Sequence, residues 1–208
     1  MATAVDICNL ALSILGDSGD VTSIKPPDGS PQAGHCARWY PLALRKLFEE
    51  HDWSFAIRRS RGVELSNVDE DIYEWKHSFL LPSDCVRLLR VSEVGREGMP
   101  LDFEVELYES NSGRAVFTDA KDIVLTYVSY VDTASIFPTY FVQALTLLLA
   151  SFLLGPVKRS DSTSDVAVRL LQQYEAALSR AKTADSKAGV HRHRAEWPLP
   201  SGLRARVI

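Results

Sequence analysis

The 208-residue chain predicts an α+β fold: a four-helix bundle with an inserted small antiparallel β-sheet or barrel, followed by an extended C-terminal arm. Three observations lead there. Apolar residues recur at helical spacing over about 4–15, 31–51, 138–154 and 163–186, toward both ends of the chain. Between 53 and 131 the texture changes to short segments rich in Val, Leu, Phe and Tyr, parted by turn residues. Beyond Gly189 neither period persists. Residues 1–52 and 133–188 are therefore assigned to a helical domain, 53–132 to an inserted β domain, and 189–208 to the arm.

The first helix opens on Thr3, with Asp6 at capping-box spacing, and closes before Gly16. Val5, Cys8, Leu12 and Leu15 share a face, flanked by Ala4, Ile7, Ala11 and Ile14. So much apolar girth requires cover on more than one side. The loop DSGDVTSIKPPDGS follows. It lacks the alternating acids and closing Glu of a calcium loop. Ser30 then caps a second helix with Pro31 at its first position. Cys36, Tyr40, Ala43 and Leu47 line its buried face, widened by Leu44 and Phe48.

In the β region, turn signals separate five or six strands at 65–67, 81–84, 95–100 and 110–113. Trp53, Phe55 and Ile57 would alternate onto one face of the first strand. The last strand, 123–131, is apolar on both faces and is expected to be central or covered by another chain. A third helix starts at Pro138 and is expected to stop at Gly155-Pro156. Its run FVQALTLLLASFLLGPV includes Gln143, Thr146 and Ser151, which fits a buried helix better than a bilayer span of about 20 residues. The fourth helix buries Ala167, Leu170, Leu171, Tyr174, Ala177, Leu178 and Ala181.

Chemistry-bearing patterns are sparse. The net charge of −4 weighs against a free-standing nucleic-acid binder. Cys8, Cys36 and Cys85 have neither disulfide nor zinc spacing and read as buried free thiols. The N-terminus lacks the basic start of a signal peptide. No GxSxG elbow, P-loop or GxGxxG occurs, and the five histidines are scattered, so no catalysis, cofactor or metal is expected. The acids Asp69, Glu70, Asp71 and Glu74 read as a solvated turn. Arg58, Arg59 and Arg61 leave three readings open: ion pairs within or between chains, with 69–74 facing them across a hairpin; proximity to DNA; or a solvated face. In the arm, His191, Arg192, His193 and Arg194 leave three readings open: a solvated end, a docking segment, or a site for a divalent metal or phosphate. For docking, Trp197, between these and Arg204 and Arg206, would be the anchor, because buried aromatics dominate interface energetics.

ICNLALSILGD, SIKPPDGS, HCARWYPLALRKLFEEHDWSFAIRRS and WKHSFLLPSDCVRLLRV together resemble the head-to-tail adaptor, or tail tubular protein A, family of short-tailed bacteriophages over about residues 5–91. The resemblance implies a non-enzymatic structural protein of the virion neck, assembled in the host cytoplasm. It implies a dodecameric ring of copies between the portal protein and the tail nozzle protein. The helices would form the ring wall and the sheet would meet the nozzle. The arm would reach the portal, and double-stranded DNA would pass without sequence-specific binding or any membrane. Three alternatives remain: a connector of a long-tailed phage, a nucleic-acid-binding module, and an unrecognised hydrolase, for which the sequence shows no grouping of histidines and acids.

Overall fold

The computed structural model describes residues 2–65, 74–96, 99–107, 113–158 and 163–189. Its helices are α1 (Ala4–Ile14), α2 (Pro31–Glu49), α3 (Thr139–Val157) and α4 (Thr163–Gly189). Between α2 and α3 lie β1 (Ile57–Arg61), β2 (Val63–Glu64), β3 (His77–Leu80), β4 (Cys85–Glu93), β5 (Glu104–Leu107), β6 (Arg114–Thr118) and β7 (Ile123–Ser129). The chain is thus mixed α and β, with four helices and two small antiparallel sheets among the described residues.

Local chemistry sets the helix starts. Thr3 Oγ1 accepts from the Asp6 amide at 3.1 Å, and the Asp6 carboxylate accepts from the Thr3 amide at 2.8 Å, completing the capping box. Gly16 takes the left-handed conformation, φ 72°, that lets the chain leave α1. Ser30 Oγ accepts from the Ala33 amide at 3.1 Å, with Pro31 behind it. Asp28 fixes that cap in turn, accepting from the hydroxyl and amide of Ser30 and from the amide and hydroxyl of Thr22. These bonds, the Ser30 hydroxyl foremost, hold its carboxyl well below the usual range.

Helix α3 is the hub: it packs against α1, α2 and α4, whereas α1 and α4 flank it without substantial contact with each other. It is long and apolar enough to cross a membrane, and half of that apolar stretch is buried within the protein. It does not stop at Gly155-Pro156. Pro156 sits in the last turn, where its missing N–H costs a single helix bond, and Lys158 N–H still donates to Leu154 at 2.8 Å. In α4, Leu171 is exposed rather than buried; Leu170, Tyr174, Leu178 and Ala181 carry the core contact.

The β region divides where one sheet or barrel was expected. One sheet has the order β1-β7-β4, the other β2-β3-β6-β5. Strand β7 is central in the first, which accounts for its two apolar faces. Strand β1 pairs antiparallel with β7, from Ile57 opposite Val128 to Arg61 opposite Val124. Of the acids expected to face its arginines across a hairpin, only Glu74 is among the described residues. Asp69, Glu70 and Asp71 lie outside the described residues. Trp53 and Phe55 do not lie on a strand either, because Ser54–Ala56 forms a 3-10 turn and extension begins at Ile57.

The chain changes sheets between β1 and β2, at Gly62. Its amide donates to Ile123 O at 2.9 Å. A Cβ there would lie 2.5 Å from Ile123 Cγ1 and 2.7 Å from Phe79 Cδ1. Phe79 and Ile123 belong to a second core shared by the two sheets, with Val91, Val116, Leu125 and Tyr127. The larger core unites the helices with Trp53, Ala56 and Val128. Cys8, Cys36 and Cys85 are free and buried, as read from their spacing.

Gly62→Ala should therefore overpack the join between the sheets and lower the unfolding free energy by about 1–3 kcal/mol. Chemical denaturation followed by circular dichroism measures this. An unchanged midpoint would contradict the close approach.

Candidate interaction surfaces

The stretch HDWSFAIRRSRG carries the chain from helix to sheet. Trp53 is completely buried, and its indole N–H donates to Leu47 O at 2.7 Å, at the end of α2. Its ring meets Phe141 of α3 edge-on, with centroids 5.0 Å apart. Phe48, Phe55 and Phe137 also surround Phe141, at 5.2, 5.0 and 4.9 Å. Such offset and edge contacts suit the aromatic quadrupole.

Asp185 of α4 fastens the outside of this joint. It is 2% exposed and accepts from the Ser54 amide at 2.9 Å, the Ser54 hydroxyl at 2.8 Å and the Tyr140 hydroxyl at 2.9 Å. His51 Nε2 lies 3.2 Å from Asp185 Oδ2, the oxygen that also accepts from the Ser54 amide. A buried carboxylate needs such partners. Burial, then the bond to Asp185, pushes the Tyr140 hydroxyl up to about 12. The carboxylate lies between Ser54 and His51. The serine hydroxyl donates to it rather than to the imidazole, which is not the order of a nucleophilic triad.

The three sequence-adjacent arginines separate. Arg58 stands opposite Tyr127, whereas Arg59 and Arg61 stand opposite Thr126 and Val124 on the other face. Arg58 lies 3.3 Å from Asp84, which also accepts from the Tyr127 hydroxyl at 3.2 Å and the Ser129 hydroxyl at 2.8 Å. Arg59 and Arg61 are exposed and make no ion pair among the described residues. Across β7, Arg87 is opposite Val128 and Arg90 is opposite Thr126. The register thus gathers Arg59, Arg61, Arg87 and Arg90 on one face. Two irregularities in β4 make this possible: the shift between Leu88 and Arg90 inserts one residue, restoring Arg90 to the face of Arg87. Arg87 pairs with Asp52.

Sequence reasoning missed Arg87, Arg90, Asp84 and Asp185. Strict alternation puts residues 87 and 90 on opposite faces, and no local pattern marks a bulge there. The acids lie far along the chain from the groups they hold. The LP-SD turn was visible as a turn, but not as the source of the carboxylate that Arg58 meets.

Large apolar side chains are exposed on several elements. Leu10, Ile14 and Leu42 belong to α1 and α2, Val168 and Leu171 to α4, and Val63 and Leu80 face each other across β2 and β3. No cluster of three or more metal-ligating side chains exists among the described residues. Glu74 is exposed. His191, Arg192, His193, Arg194, Trp197, Arg204 and Arg206 lie outside the described residues.

No family model matches the chain, and no curated protein matches it. Among solved structures it is similar to a chain in the neck of a native GTA particle computed with C12 symmetry. The identity is 13%, the match covers 83% of this chain and 92% of that one, and the TM-score is 0.25.

Replacing both Arg59 and Arg61 by Glu should change folding stability by no more than about 0.5 kcal/mol, because both side chains are exposed. Thermal denaturation checks this. A loss of several kcal/mol would mean that the arginines hold the fold rather than await a partner.

Proposed function

We propose that the chain is a subunit of a ring-shaped head-to-tail connector in a phage-like particle, in the manner of the adaptor family that its residues 5–91 resemble. The structural observation supporting this reading is that large apolar side chains are exposed on several elements, among them α1, α2, α4 and the β2–β3 pair. A self-complementary dimer needs one such patch, whereas a ring needs two different ones that meet head to tail. In the proposed assembly the helices, completed as a four-helix bundle, form the wall, and the sheets reach toward a tail nozzle. The C-terminal arm attaches to a portal. Ring size follows the family, at twelve copies.

The arginine face fits this role. Arg59 and Arg61, exposed on that face and without an ion pair among the described residues, suit carboxylates on a neighbouring subunit or the phosphates of DNA in transit. With a net charge of −4, the conduit would not grip DNA along its length, and tight phosphate neutralisation would slow passage. The same face favours a second reading, a nucleic-acid-binding module. That reading requires strong, salt-dependent binding of the isolated chain to DNA.

Native mass measurement separates the two. The connector reading predicts a small species in isolation and a multimer of about twelve copies after mixing with portal rings from the same particle. Failure to associate with those rings, together with salt-dependent DNA binding by the isolated chain, would overturn it in favour of the second reading.

A further inference from the structure

The α1/α3/α4 surface has an unfilled place. Because α1 and α4 do not close over α3, a strip of α3 lies open between them. A depression of about 560 Å³ there is walled by Leu10 and Ile14 of α1 and floored by Val142 of α3. A second, of about 330 Å³, is walled by Arg180 of α4. The two share Gln143 and Leu147 of α3, so they form one continuous groove. Leu10 and Ile14, 51% and 45% exposed, both line this groove, and it is a contiguous exposed apolar surface rather than a single exposed residue that marks a site of contact. The combined volume suits several side chains.

The end of α4 supplies an occupant. Asp185 accepts a hydrogen bond from Tyr140, the neighbour of Thr139 at the head of the groove. Gly189 follows one helical turn later, about 6 Å along. Another 19 residues follow Gly189, including AEWPLP at 195–200. The eight residues from Gly189 to Trp197 span up to about 26–29 Å when extended, more than twice the width of a helix. We propose that in the free chain residues 195–200 fold back along this groove, with Trp197 seated against Leu10, Ile14 and Val142 and Glu196 facing Arg180.

The chemistry matches at both ends of the groove. A tryptophan ring fills an apolar pocket with little loss of rotamer freedom. Arg180 is exposed and has no ion pair among the described residues, so it can meet the carboxylate beside that tryptophan. Pro198 and Pro200 pre-set an extended backbone and remove two N–H donors that an apolar groove could not satisfy. The tether decides between this chain's own segment and that of a second copy. A short linker gives an effective concentration on the order of millimolar, far above that of free copies in dilute solution. The arm is then stored on its own subunit before assembly and freed for a partner during it. This inference does not depend on what that partner is.

Acrylamide quenching of the full-length protein tests it. The contribution of Trp197 is the difference between the wild-type chain and Trp197→Phe. The expected result is a Trp197 quenched several-fold less than in urea, independent of protein concentration while sedimentation reports a monomer. Leu10→Asp combined with Ile14→Asp should raise its quenching to the urea level with an unchanged far-ultraviolet spectrum. Arg180→Glu serves as the second variant should that pair not fold, and should raise quenching in the same direction. The proposal is overturned if wild-type Trp197 is already as accessible as in urea. It is also overturned if neither variant exposes it, or if protection appears only at concentrations where oligomers form, which would make a second copy the occupant.

Discussion

The structure depends on keeping Phe141 dry. Four aromatic rings from three different parts of the chain converge on it: Phe48 at the end of α2, Trp53 and Phe55 at the entry to the sheet, and Phe137 at the exit. The chain leaves the helices and returns to them at this one place, so the β region is pinned at both ends by a single cluster. Replacing a buried ring of this kind by alanine costs about 3–5 kcal/mol, a large share of ordinary domain stability. Asp185 extends the constraint to α4, because Ser54 and Tyr140 both donate to it across the cluster's edge. One joint therefore holds α2, α3, α4 and the root of β1 in register.

That joint also orders the surfaces. With β1 rooted at Ala56, its register against β7 is set, and Arg59 and Arg61 emerge beside Arg90 rather than beside Arg58. With α3 held as the hub, α1 and α4 lie on its two flanks and the groove between them stays open. The arginine face and the groove are consequences of the same packing, although they are chemically unlike. A subunit destined for an assembly needs this combination: an interior that closes without help and outer faces that do not.

Much of the helical part was legible in the sequence, because its signals are local. The Thr3–Asp6 capping box, the Ser30-Pro31 start and the buried stripe of α2 each lie within a few residues and appear in the structure. The centrality of β7 was legible too, from its two apolar faces. What failed were inferences that crossed the chain. The pairing of β1 with β7 spans more than sixty residues, and no local pattern announces it. Division into two sheets hinges on Gly62, whose need for space against Phe79 and Ile123 leaves no mark in its neighbours. The arginine site was half legible: the β1 side stood out as a cluster, while the β4 side depended on a bulge.

Residue-resolved hydrogen exchange of the full-length protein tests the central claim most directly. If the aromatic joint binds helices and sheet into one cooperative unit, the Trp53 indole, the amides of α3 around Phe141 and the central amides of β7 will share the slowest exchange class, opening only with global unfolding. Loss of β7 protection while α3 remains fully protected would show that the sheet opens on its own, and would contradict the account.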